Sequence, residues 1–194
     1  MNGSGQAVDG AASGGIAAGT VLETARLRLR PYGWDDAPAM TAFLADFEVA
    51  RWLALVPHPY GPEHARSFLE KTLGGGFPDK LGLAIEVDGR LAGGIALAGL
   101  SALPMLGYWL GPPHWGRRLM TEAVAAVLAH GFGTLGLTRV GSGIFAGNEA
   151  SLAIQRRAGF EVVGQSEVFS LARNTTVTHI DTRLTRRRWQ ETKR

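Results

Sequence analysis

The sequence predicts an α/β (α+β) fold: a single domain in which helices sandwich one mixed sheet. Three observations predict it. Asp88 and Gly89 sit between two apolar runs, 81–87 and 91–98, which is a two-residue hairpin signal. Residues 107–132 read as a short strand, a glycine-proline break and a helix with one apolar face. The whole order is strand, two or three helices, three strands, helix, strand, helix, two strands, which layers helices on a sheet. A chain of 194 residues is of one-domain size and long enough to bury a core.

Residues 1–20 are rich in Gly, Ala and Ser, with neither a basic leader nor a continuous apolar run, so residues 1–21 read as a flexible tail rather than a signal peptide or membrane span. From Arg26 to Arg30 charge alternates with leucine, a half-buried strand that stops at Pro31. A helix over 35–46 follows, capped by Asp35 or Asp36, with Met40, Phe43, Leu44 and Phe47 on one face. A shorter helical piece is expected over 48–55. Pro57 and Pro59 exclude helix around His58. Pro62 opens another helix, with Ala65, Phe68, Leu69 and Leu73 on one face, and glycines 74–76 end it. Beyond the hairpin, the strand at Tyr108, Trp109 and Leu110 would pair next. In the central helix Met120, Val124, Val127, Leu128, Gly131 and Phe132 share a face. A strand (138–144), a helix (149–158) and strands near 160–170 and 176–184 complete the order.

Composition is ordinary, 45% hydrophobic and 19% charged, with a net charge of +3. The absence of cysteine removes disulfides, thiolate metal sites and a cysteine nucleophile, and is compatible with a reducing, cytoplasmic setting. No metal site is expected. Five Arg and one Lys against one Glu fall between Arg183 and Arg194. That basic end could touch RNA, but a solvated last turn is the favoured reading, so nucleic acid is not an expected partner. Residues 190–194 are read as a basic tail.

The chemistry concentrates at 107–132. A strand, a tight glycine turn and a helix N-terminus form an anion site, because first-turn amides lack intrahelical partners and the dipole favours negative charge. Arg117 and Arg118 add positive charge there. A strand-to-helix connection that binds nothing has the same local pattern.

The ordered series Tyr108-Trp109-Leu110, Gly116-Arg117-Arg118, Leu119-Met120-Thr121, the amphipathic helix, the strand to Ile144, Asn148 with Ser151, and Gly159-Phe160 resembles the acetyl-CoA-binding core of the GNAT N-acetyltransferases. More narrowly it resembles the branch of the bacterial ribosomal-protein-alanine N-acetyltransferases, and the likeness runs over 22–189. The resemblance implies a mixed, mostly antiparallel sheet and acetyl-CoA as the acetyl donor. The acceptor it implies is a small-molecule or protein N-terminal amine, with no membrane partner; a homodimer is left open.

It further implies that the backbone of Tyr108, Trp109 and Leu110 meets the pantetheine arm. The phosphates would meet amides from Gly116 through Arg117, Arg118, Leu119 and Met120 to Thr121. Asn148 becomes a cofactor contact and Ser151 a partner for the departing thiolate, although Asn148 is equally an N-cap and Ser151 a first-turn residue.

The chain departs from the family pattern at three places. Arg118 stands where glycine is usual; such an arginine is expected to keep a negative φ and send its guanidinium to a phosphate or to solvent. Gln155 stands where related enzymes carry a tyrosine acid. Pro104, Met105 and Leu106 stand where a glutamate base is usual, which leaves Glu86 and His58 as candidate bases, with His114 and His179 as further histidines. Trp52, Tyr60 and Trp109 are candidates to line an acceptor slot. A fold that binds acyl-CoA without catalysis is the alternative function.

Overall fold

A computed structural model describes residues 19–193; most of the expected N-terminal tail, and Arg194 of the C-terminal one, lie outside the described residues. Eight strands form one sheet: β1 (Leu22–Glu23), β2 (Arg28–Arg30), β3 (Lys80–Val87), β4 (Arg90–Ala98), β5 (Met105–Leu110), β6 (Arg139–Phe145), β7 (Glu161–Ser170) and β8 (Thr175–Thr185). Their order is β1-β2-β3-β4-β5-β6-β8-β7. Every neighbouring pair is antiparallel except β5 and β6. The hairpin signal holds: Asp88 and Gly89 both have positive φ, +49° and +74°, as a twist-matched two-residue turn requires.

The helices are α1 (Ala37–Leu44), α2 (Phe47–Ala50), α3 (Pro62–Leu73), α4 (Leu119–Gly133), α5 (Glu149–Ala158) and α6 (Arg186–Glu191). The expected 35–46 helix is shorter because a 3-10 turn over Trp34–Asp36 precedes α1. Asp46 then caps α2, its side chain accepting from the Glu48 amide. All six residues assigned to the apolar face of the central helix are buried. Leu128, 1% exposed, belongs to the cluster that joins α4 to β3, β4 and β6, where truncation to Ala would cost about 3 kcal/mol.

The two sheet faces carry different helices. Leu106, Tyr108 and Leu110 of β5 pack into the α4 cluster, and Ile154 and Ala158 of α5 join them. Trp109, pointing the other way, packs with Met40, Leu44, Ala65 and Leu69 of α1 and α3.

The basic C-terminal stretch is partly structural. Thr185 caps α6, Trp189 stacks on Phe132 with ring centroids 5.2 Å apart, and Arg188 donates to the Gly159 carbonyl and pairs with Glu161. The helix carries ordered chain to Glu191, past the expected boundary at 189.

Candidate active site

The feature that organises the site is a gap in the sheet. β5 and β6 are paired only at Met105 with Gly141 and Leu106 with Ser142; beyond these they part. A buried polar network ties the base of the gap. Ser142 Oγ donates to the Leu106 carbonyl (2.8 Å), Gln155 Nε2 donates to Ser142 Oγ (2.7 Å), and Thr182 Oγ1 donates to Gln155 Oε1. Gln155 is 1% exposed with both ends of its amide satisfied, so it joins β6, α5 and β8 where a tyrosine was the usual residue.

Above that network the β5 backbone is open on one side. Gly111 N–H bonds the Ala92 carbonyl of β4, whereas the Leu106 carbonyl accepts from Ser142 and the Leu110 carbonyl from Trp115 Nε1. Backbone groups of alternate residues point to opposite sides of a strand, so Tyr108 turns its N–H and C=O into the gap. A cavity of about 550 Å³ fills it.

The cavity is lined by Tyr108, Trp109, Leu110, Gly116, Arg118, Leu119, Met120, Thr121, Asn148 and Ser151, ten of the expected site residues brought together from three elements. Arg117 does not line it; its carbonyl instead accepts from Arg26 Nη1 at 3.0 Å. Arg26 also donates to Glu122 in the first turn of α4, from its backbone N–H (3.0 Å) and Nε (2.8 Å), and Thr24 Oγ1 donates to the same carboxylate (2.6 Å). The loop between β1 and β2 thus pins the outer side of the turn that presents the α4 amides. Burial pushes the Glu122 carboxyl up, but the bonds from Thr24 and Arg26 outweigh it, and the net shift is downward.

Arg118 corrects the expected backbone. Its φ is +59° and ψ 18°, left-handed, at the N-cap of α4. Gly116 has already turned with φ +72°, and the chain needs a second left-handed residue to enter the helix. Glycine adopts that conformation freely, whereas a residue with a Cβ meets a cost of about 1–2 kcal/mol. Arg118 makes no ion pair among the described residues and is one of the residues lining the cavity.

Asn148 does cap α5: its Oδ1 accepts from the Ser151 amide at 3.1 Å. Ser151 Oγ lies 2.8 Å from the Tyr108 hydroxyl. Burial holds the Tyr108 phenol above its ordinary range while the bond to Ser151 pulls the other way, so the phenol is protonated at neutral pH. The pair joins residues 43 apart in sequence, and no local pattern announces it.

Neither expected base reaches the cavity. The Glu86 carboxylate is bound by Arg30, which also makes a two-pronged contact with Asp36 (2.8 and 2.9 Å). The bonds to Asp36, then Glu86, hold the Arg30 guanidinium above its ordinary range despite desolvation. His58 is exposed, its ring edge against Phe47. Tyr60 is buried beside α1 and α3 rather than in the slot, whereas Trp52 and Trp109 do line it. His114 lines it too, its imidazole lowered from the usual range by burial and by Arg117. Glu48, at the cavity's edge, is exposed and paired with Arg51 at 3.0 Å. No group of His, Cys, Asp and Glu suited to a metal ion occurs among the described residues, and no described helix is long and apolar enough to cross a membrane.

A helix N-terminus facing a split between two parallel strands makes a cleft suited to an anionic ligand, and comparison with known proteins supplies its class. The acetyltransferase (GNAT) domain model matches residues 26–161. The uncharacterized N-acetyltransferase YoaA of Bacillus subtilis is 33% identical over 151 residues, which cover 74% of this chain and 84% of YoaA. The structure of Mycobacterium smegmatis RimJ in complex with CoA-disulfide superposes with a TM-score of 0.74 at 21% identity, covering 83% of this chain and 82% of that one. The ribosomal-protein-S5-alanine acetyltransferase from Vibrio fischeri does so with a TM-score of 0.74 at 17% identity, covering 88% and 98%. This chain belongs to the GNAT acetyltransferase family and is an acetyltransferase.

Proposed function

We propose that the protein transfers an acetyl group from acetyl-CoA directly to a primary amine of low pKa, a protein N-terminus or a small molecule. The observation that carries this reading is the parting of β5 and β6 beside the α4 N-terminus, which leaves Tyr108 backbone groups unpaired within reach of an anion site. The thioester supplies an activated acetyl group. The amides of Gly116 and of residues 118–121 would hold the pyrophosphate, with Arg118 as a side-chain counter-charge. The Tyr108 N–H would bond the acyl carbonyl and stabilise it as it gains charge. Ser151, backed by the Tyr108 hydroxyl, would return a proton to the sulfur.

The acceptor class follows from what the cavity lacks. Its one carboxylate among the described residues, Glu48, is paired, and Glu86 and His58 are elsewhere. An α-amino group with a pKa near 7.8 is about 14% neutral at pH 7, whereas a lysine amine near 10.4 is about 0.04% neutral. With no free carboxylate in the cavity to serve as base, the first is the better nucleophile.

Calorimetry with CoA and thiol release from acetyl-CoA test the reading, over short peptides with free N-termini, an N-acetylated lysine peptide, spermidine and hydroxylamine. Fastest release is expected with the free N-termini or hydroxylamine. Gly116→Pro, which removes an amide proton at a left-handed position, should weaken CoA binding at least tenfold. CoA binding without thiol release from any amine would replace the reading with non-catalytic acyl-CoA binding.

A further inference from the structure

We infer that His179, aimed by Asp181, is the general base that receives the acceptor's proton; this rests on the acetyl transfer proposed above. His179 lies on β8 opposite Phe145 of β6, with Asp181 opposite Gly143. Both side chains therefore lie on the face away from α4 and α5, the face that carries Trp109. Trp52, Leu53 and Val49 line the cavity from that side, and His179 lines it with them. Tyr108 and Ser151 lie on the opposite face. A transfer that takes a proton from nitrogen and delivers one to sulfur is able to use two separate groups, and the split sheet puts one on each side of the gap.

The imidazole is aimed by two features. Nδ1 lies 2.9 Å from Asp181 Oδ1, which also accepts from Ser166 Oγ at 3.0 Å. A carboxylate accepts only, so Nδ1 carries the hydrogen and the Nε2 lone pair is available. No hydrogen bond to Nε2 occurs among the described residues. The second feature is Gly143. A Cβ there would stand 1.6 Å from Cε1 and 2.0 Å from Nε2, so only glycine lets the ring lie across β6 towards the gap. The Phe145 ring, 5.9 Å away and edge-on, closes the other side.

The proton balance closes. His179 Nε2 takes the proton that nitrogen sheds as the C–N bond forms. The C–S bond breaks, and the Tyr108–Ser151 hydroxyl pair gives the sulfur a proton. Solvent then carries a proton from the imidazolium to re-form the hydroxyl pair. An acceptor that arrives as an ammonium ion loses one further proton to solvent. Asp181 acts through His179 and is a positioning residue.

The test uses the full-length protein and whichever panel amine gives fastest thiol release with wild type. His179→Gln should lower kcat about a hundredfold on that amine, the lower end of general-base contributions, with CoA affinity changed less than twofold. Asp181→Asn should lower kcat about tenfold with the acceptor KM nearly unchanged. Its second readout is nitrogen NMR of the imidazole, where the Nδ1-protonated tautomer of wild type should no longer dominate. Gly143→Ala, which displaces the ring without touching its chemistry, should match His179→Gln. A His179→Gln protein that binds CoA and keeps kcat within threefold of wild type overturns the inference while leaving acetyl transfer standing. If that variant does not fold, an Asp181→Asn enzyme with wild-type kcat and an unchanged tautomer overturns it equally. A wild type with no thiol release from any amine instead removes the acetyl-transfer reading itself.

Discussion

Two charge clusters sit at opposite ends of the sheet and differ in one respect. At β2 and β3, Arg30 bridges Asp36 and Glu86, and the Asp36 carboxylate also accepts from the Gly33 amide. At β7 and β8, Asp181 holds Ser166 and His179, and the imidazole keeps one nitrogen open beside a cavity. The first cluster is closed: both carboxylates are bound by Arg30, and Asp36 is only 3% exposed. The second ends on an atom able to accept a proton. A carboxylate or histidine is therefore informative by what its last free atom faces, and residue type alone does not give that.

The comparison breaks most visibly at Arg30. Arg30→Met leaves the buried Asp36 uncompensated and should cost about 3 kcal/mol in urea unfolding, while kcat per folded molecule stays within twofold. Glu86→Gln, at the same cluster, should lower kcat less than tenfold. A thousandfold loss, the scale of a true base, would make this the reactive cluster instead.

Glu122, a third closed carboxylate, sharpens the contrast through pH. Its folded value lies below the ordinary 4.5, so its contribution is present above that value and is lost as pH falls through the lower, folded one. Glu122→Gln should therefore be destabilised relative to wild type at pH 7, with the gap narrowing below about pH 4 in acid-unfolding scans.

Arg118→Gly releases left-handed strain but frees the unfolded chain, so stability should rise by about 1 kcal/mol or less, read as a small increase in Tm. CoA affinity should change by on the order of 1 kcal/mol, as one exposed charged contact is traded for a relaxed turn. A far larger gain in affinity would mark the native turn as impaired. Ser151→Ala should lower activity less than tenfold, because the Tyr108 hydroxyl stays beside the vacated position. A hundredfold fall in kcat would assign the proton to Ser151 alone.

Periodic and turn signals were legible in the chain because they are local. The hairpin at Asp88 and Gly89, the α4 face and the Asn148 cap depend on neighbours within a few residues, and each is found where the spacing placed it. The expected negative φ at Arg118 failed because the requirement comes from how the turn joins β5 to α4, not from the residue. Glu86 looked available because the strand pattern does not show Arg30, 56 positions away, crossing to it.

The sequence by itself determined the element order, the glycine turn at a helix N-terminus and the absence of cysteine chemistry, all set by local backbone preference and composition. Tertiary structure alone decided which groups meet across the split between β5 and β6. Tyr108 reaches Ser151, Gln155 is consumed in holding the strands, and His179 is laid across Gly143. The physical reason is that register between strands far apart in the chain sets which side chains share a face. Pairing Asp181 with Gly143 places an imidazole where neither strand's own sequence announces one.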